Sequence, residues 1–142
     1  MKKLILPVFF AAFIFSSCGK SDKNCTLTSA SLQGSYKISS IKYKGSSTQA
    51  ETEVLNTGLF LPACEVDNIF SFNNNGTYTY TDAGVVCNPN SSDAGVWSVS
   101  GNTLTVDGDA TPVTNFGCSS FQITEYDSFQ NGDITVLTFA RQ

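Results

Sequence analysis

Apolar and polar residues alternate in short bursts along most of this chain, and the bursts are rich in β-branched and aromatic side chains. Tyr36–Tyr43, Ile69–Phe72, Thr77–Thr81, Trp97–Val99, Leu104–Val106, Phe121–Tyr126 and Ile134–Phe139 each read as a strand, and no stretch sustains the 3.6-residue period of an amphipathic helix. Turn dipeptides separate them: Asn75-Gly76, Gly101-Asn102, Asp107-Gly108 and Asn131-Gly132. Asn-Gly and Asp-Gly supply the positive φ angles of tight hairpin turns. The pattern predicts a meander of about seven strands, with an eighth between Thr48 and Leu61. Some strands are apolar on both faces, as with Ile134 and Val136 on one side of the last strand and Leu137 and Phe139 on the other. Closing such a meander into a barrel removes its edge strands. The expected fold class is therefore all-β, a small antiparallel up-and-down β-barrel of about seven to eight strands, with a two-sheet β-sandwich as the alternative.

The first residues follow another pattern. Met1, Lys2 and Lys3 precede twelve uncharged residues, Leu4 to Phe15, which contain Pro7 and end at Ser16, Ser17 and Cys18. A membrane-spanning helix needs about 20 apolar residues, so this run has the layout of a cleaved signal peptide instead. Phe15-Ser16-Ser17-Cys18 resembles the lipobox of bacterial lipoproteins, although that pattern most often has Leu where Phe15 stands. The resemblance implies cleavage before Cys18 and lipidation of its thiol. Two or more acyl chains hold a protein stably to a bilayer. The residues divide into a signal peptide at 1–17, a lipidated cysteine and flexible tether at 18–28, and a folded domain at 29–142. In lipoprotein sorting, Asp directly after the cysteine favours inner-membrane retention; Gly19 stands there, which implies the cell envelope's outer membrane.

Loss of Lys2 and Lys3 leaves six of the eight basic residues against twelve acidic ones, a formal net charge of −6. That balance argues against nucleic acid and anionic lipid surfaces as partners. With Cys18 lipidated, Cys25, Cys64, Cys87 and Cys118 remain, an even number that reads as two disulfides in an oxidising compartment. Three pairings are open. Cys64 with Cys87 is favoured because the Ile69–Phe72 and Thr77–Thr81 hairpin would bring its outer ends together, and Cys25 with Cys118 follows. A four-cysteine zinc site lacks any C-x-x-C spacing.

Enzyme chemistry finds little to work with. The chain has no His, no metal-ligand cluster and no Gly-rich phosphate loop. Acidic pairs occur at Glu51/Glu53, Glu65/Asp67, Asp107/Asp109 and Glu125/Asp127. They read as solvated strand ends and turns rather than as a glycosidase pair or a calcium loop. The reading is a non-enzyme that carries no cofactor and no metal.

Leu32, Gly34 and Tyr36 resemble the L-x-G-x-W opening of lipocalin-like domains. The order continues through Cys64, Asp67, Phe70, Phe72, Asn75, Gly76, Thr77, Tyr78, Cys87, Gly95, Trp97, Leu104 and a final strand ending near Arg141. This resembles the lipocalin-like lipoproteins of Gram-negative bacteria over roughly residues 29–142. In lipocalins the first-strand Trp packs across the closed end of the barrel against an Arg near the chain's end. The resemblance implies that Tyr36 and Arg141, the only arginine of the chain, make that contact. It also implies a small hydrophobic ligand in the barrel, with Phe70, Phe72, Tyr78, Tyr80, Trp97, Phe121 and Phe139 as candidate lining and Leu59, Phe60 and Leu61 as a rim. An eight-stranded barrel either fills with side chains or holds one small ligand. A filled barrel would instead be an interaction module, presenting the loops Asn88–Asp93 and Asp107–Asp109 to an envelope protein or glycan.

Overall fold

The computed structural model describes residues 25–142. The signal segment, Cys18 and the first part of the tether lie outside the described residues. Among the described residues a short helix, α1 (Ser29–Leu32), precedes nine strands: β1 (Gly34–Lys44), β2 (Thr52–Glu53), β3 (Ile69–Phe72), β4 (Thr77–Thr81), β5 (Asp93–Ser100), β6 (Thr103–Val106), β7 (Asp109–Gly117), β8 (Ser120–Tyr126) and β9 (Ile134–Arg141). Every pairing is antiparallel, and β9 returns to pair with β1 from Tyr36↔Arg141 to Lys44↔Ile134. Eight strands therefore close a barrel, and β2 is an extra two-residue strand beside the far end of β1.

The turns form where the glycine dipeptides stand. In the β6–β7 turn both Asp107 (φ 50) and Gly108 (φ 96) are left-handed, which suits the right-handed twist of the flanking strands. The eighth barrel strand, however, is not in residues 48–61. That segment folds largely as a loop, in which Val54 and Leu55 are buried. The missing strand is β7, where Val113 alone is buried and Pro112 interrupts the donor row.

Residues 25–28, read as tether, belong to the folded unit. Leu27 joins the core, and the Thr28 side chain caps α1 by accepting from Ser31 N at 3.1 Å while the Ser31 hydroxyl accepts from Thr28 N at 2.9 Å. Cys25 is bonded to Cys118, with Cα atoms 5.5 Å apart, and Cys64 to Cys87 at 5.3 Å. The first bridge fastens the entering chain to the β7–β8 turn. The second ties the loop before β3 to the loop after β4, as the hairpin argument expects.

Strand direction sorts the connections into two ends. At one end lie α1, the β3–β4, β5–β6 and β7–β8 turns, and the last residues of β9. At the other lie the loops 45–68, 82–92 and 127–133, together with the β6–β7 turn. The core runs between them as a chain of rings: Tyr36 meets Phe121 at 5.1 Å between centroids, Phe121 stacks on Phe139 at 4.7 Å, and Phe72 meets Trp97 at 5.1 Å.

Candidate functional site: an apolar barrel cavity

Alternate residues of a strand point to one face, and in β3, β4, β6, β8 and β9 the inward set is apolar. These side chains leave a cavity of about 370 Å³ lined by Phe70, Phe72, Tyr78, Leu104, Val106, Asp107, Asp109, Thr111, Phe121, Ile123 and Phe139. That lies at the lower end of the range for small-molecule sites, about 300 to 1,000 Å³. Five of the aromatic residues expected to line a pocket do so: Phe70, Phe72, Tyr78, Phe121 and Phe139. Leu104, Val106 and Ile123 also line the cavity, although the sequence reading assigned none of them to a pocket wall. Their signal was alternation, since Leu104 and Val106 share one strand face and Ile123 stands two residues after Phe121.

Tyr80 and Trp97 lie elsewhere. Tyr80 packs on Phe70 nearer the loops, where its hydroxyl accepts from Asn68 Nδ2 at 2.9 Å. Asn68 is buried, and it also donates to Ser91 Oγ at 3.0 Å and accepts from Ala83 N at 3.0 Å, so it fixes the 82–92 loop to the barrel. Trp97 seals the opposite end, its indole N–H donating to the Asn73 carbonyl at 3.0 Å. The expected rim is also displaced. Leu59 is exposed, Phe60 packs on Phe129 at 4.6 Å and Tyr43 at 5.6 Å, and Leu61 lines a separate cleft of about 130 Å³ with Leu55 and Val66. The exposed part of the main cavity's wall is the β6–β7 turn, where Asp107 and Asp109 meet solvent.

Asp107 is held firmly. Its carboxylate accepts from Tyr78 Oη at 2.6 Å and from Val96 N at 2.9 Å. The Tyr78 hydroxyl and the Val96 amide hold this carboxyl below its ordinary range, and the same hydrogen bond, with burial, pushes the Tyr78 hydroxyl well above its own. Gly95, which stands opposite Tyr78, explains the Gly-x-Trp spacing. A methyl group there would overlap both carboxylate oxygens of Asp107.

The closed end is built by the L-x-G-x-Y residues. Leu32 and Tyr36 are fully buried, and the Arg141 guanidinium lies 4.9 Å from the Tyr36 ring centroid. Arg141 Nη2 donates to Tyr36 Oη at 2.6 Å and to the Ser31 carbonyl at 2.7 Å, Nε donates to the Cys118 carbonyl at 3.0 Å, and Nη1 donates to the Gln33 carbonyl at 2.5 Å. Gly34 has φ 130, and a side chain there would strike the Arg141 guanidinium. Burial holds the Tyr36 hydroxyl above its ordinary pKa despite the adjacent arginine.

Most acidic residues noted in the sequence have local structural partners. Glu51 pairs with Lys42 at 3.3 Å and Lys44 at 3.2 Å, and Glu53 accepts from Ile41 N at 3.0 Å and Leu55 N at 3.1 Å. Asp67 accepts from Val85 N at 2.9 Å, and Asp127 from Gly132 N at 2.6 Å. No group of three or more His, Cys, Asp or Glu side chains among the described residues is arranged to hold a metal ion.

A family model described as a lipocalin-like domain matches residues 32–138. No curated protein matches the chain. No solved structure matches it either. The matched span runs from Leu32, at the closed end, through all the cavity-lining strands to Thr138 in β9, and the fold is the closed antiparallel barrel of that family. The chain belongs to the lipocalin-like domain family.

Proposed function

We propose that this protein is an envelope-anchored lipoprotein whose barrel binds one small, mainly apolar molecule. The observation that carries the reading is the cavity of about 370 Å³, walled by aromatic and aliphatic side chains at the centre of the barrel. A closed barrel that used its interior only as core would fill it with side chains. The leader pattern ending at Cys18 and the two disulfides favour an exported protein. On this reading Cys18 carries the lipid and the outer membrane is the site. On the same reading the tether joins the folded unit at Cys25, which is bonded to Cys118 at the closed end of the barrel. The function needs no catalysis: binding alone follows from an apolar interior.

The test is uptake of an apolar fluorescent probe such as N-phenylnaphthylamine by the chain from Gly19 onward, exported to an oxidising periplasm. One equivalent should bind, and Thr111→Phe, which places a ring in the cavity wall, should weaken binding at least tenfold while circular dichroism stays unchanged. Binding that ignores the filled cavity contradicts the reading.

A second reading is an interaction module, favoured by a different observation. Leu59, Val85, Val86, Tyr126 and Phe129 are large apolar side chains at the loop end, each more than half exposed. Exposed apolar surface of this kind marks contact sites for other molecules. Substituting Val85, Val86 and Tyr126 with Ser would abolish a protein contact and leave probe binding intact.

A further inference from the structure

We propose that the cavity discriminates by head group: resting on the ligand-binding reading above, it takes an apolar molecule ending in a cationic amine and disfavours one ending in a carboxylate. The argument comes from the polar atoms at its exposed side. Asp107 and Asp109 both line the wall and both face solvent across the β6–β7 turn, so a ligand whose apolar body occupies the aromatic interior leaves its polar end beside them. Both are acceptors when ionised, and Asp107 stays ionised at neutral pH because Tyr78 and Val96 donate to it.

The hydroxyl that could otherwise receive an anion is already used. Tyr78 Oη donates its hydrogen bond to Asp107 at 2.6 Å, which leaves Thr111 as the one neutral polar side chain among the described lining residues. Among the described residues no cation lines the wall. Of the four basic residues among the described residues, Lys42 and Lys44 are paired with Glu51, and Arg141 is engaged at the closed end. Lys37 lies between inward Tyr36 and Ile38 and so projects from the outer face of β1. A carboxylate head would meet two like charges and no counter-charge. An ammonium would meet two acceptors of opposite charge.

The experiment compares decylamine, decanol and decanoate, which share one chain, by displacement of the bound probe from the exported chain at neutral pH and low salt. Decylamine should bind about tenfold more tightly than decanoate, with decanol between them, and added salt should narrow the gap. Asp109→Asn keeps the shape of the turn, removes one charge and should shrink the preference of decylamine over decanoate several-fold. Decanoate binding as tightly as decylamine overturns the head-group inference while the cavity reading stands. A preference unchanged by Asp109→Asn and Asp107→Asn together overturns its assignment to this turn. If none of the three compounds nor the probe binds, the ligand-binding reading fails and this inference fails with it.

Discussion

The Arg141 guanidinium lies 4.9 Å from the centre of the Tyr36 ring and donates to its hydroxyl, so the last strand is locked to the first across the barrel seam. The same side chain reaches the carbonyls of Ser31, Gln33 and Cys118. One residue thus joins α1, β1, the β7–β8 turn and β9.

Arg141→Ala should therefore destabilise the domain by about 2 kcal/mol, combining a cation–aromatic contact with several charge-assisted hydrogen bonds at a partly exposed site. Arg141→Lys should recover little of this, because an ammonium lacks the planar fork that reaches separate carbonyls. Urea denaturation of the three proteins measures both effects. Equal stability of wild type and Arg141→Ala would show that the latch is ornamental.

Gly95→Ala should evict the Asp107 carboxylate from its place against Tyr78 and Val96, since a methyl group and those oxygens cannot share the space. The expected result is a loss of about 1 to 3 kcal/mol, together with weaker probe binding because the β6–β7 turn shifts. An Asp107→Ala, Gly95→Ala double variant should lose little more than Asp107→Ala alone.

Each disulfide can be removed as a pair. In the loop-entropy model, bridges spanning 93 and 23 residues contribute roughly 4.5 and roughly 3 kcal/mol. Cys25→Ser with Cys118→Ser should thus cost more than Cys64→Ser with Cys87→Ser. Denaturation of the two double variants under identical conditions gives the order.

Acid should unfold the protein through carboxylates whose folded pKa values are depressed. Asp133 is buried, which by itself raises its pKa, but the amides of Phe129, Gln130 and Ser128 and the Tyr43 hydroxyl outweigh that and hold it low. Glu53 is held low chiefly by the Ser40 hydroxyl, and Asp107 by Tyr78. A depressed pKa means that the stabilisation is fully present above the unfolded values of about 3.9 to 4.3 and is lost as pH falls through the folded ones. Thermal midpoints should be level from pH 7 to about 5 and drop below about 4. Tyr78 works in the opposite direction: its raised pKa means that stability declines once pH rises above about 10, where unfolded tyrosine ionises. Asp133→Asn should lower the midpoint at pH 7 by several degrees and flatten the acid limb.

The strands, the hairpin turns and the Cys64–Cys87 bridge were legible because each is encoded locally, in alternation, in Gly dipeptides and in a hairpin that brings the two cysteines together, and Cys25–Cys118 followed as the remaining pair. The strand β7 was not, because Asp109–Gly117 buries only Val113 and contains Pro112, so it carries neither a clean alternation nor a full donor row. Residues 48–61 misled in the other direction, since Val54, Leu55 and Leu61 supply apolar character to a loop that packs over the barrel's far end. Aromatic residues could be assigned to the interior, but not sorted between cavity wall and seal. That depends on where Gly95 withdraws a side chain and where the β6–β7 turn stands, and both are set by pairing between distant strands. The acceptor roles of Asn68, Asp107 and Asp133 were invisible for the same reason.

The anchor is tested by replacing residues 1–18 with an ordinary cleavable secretory signal, which should move the protein from the membrane fraction into the soluble envelope fraction with its disulfides intact. A variant that stays with the membrane would contradict lipidation at Cys18.

The central claim is that the cavity is a binding site, and native mass spectrometry of the chain from Gly19 onward, purified gently from an oxidising periplasm, tests it most directly. The expected spectrum shows a folded species with extra non-covalent mass that is lost on denaturation and extractable into organic solvent. A bare folded species that also fails to take up added apolar amines would contradict the account and leave the exposed loop end as the functional surface.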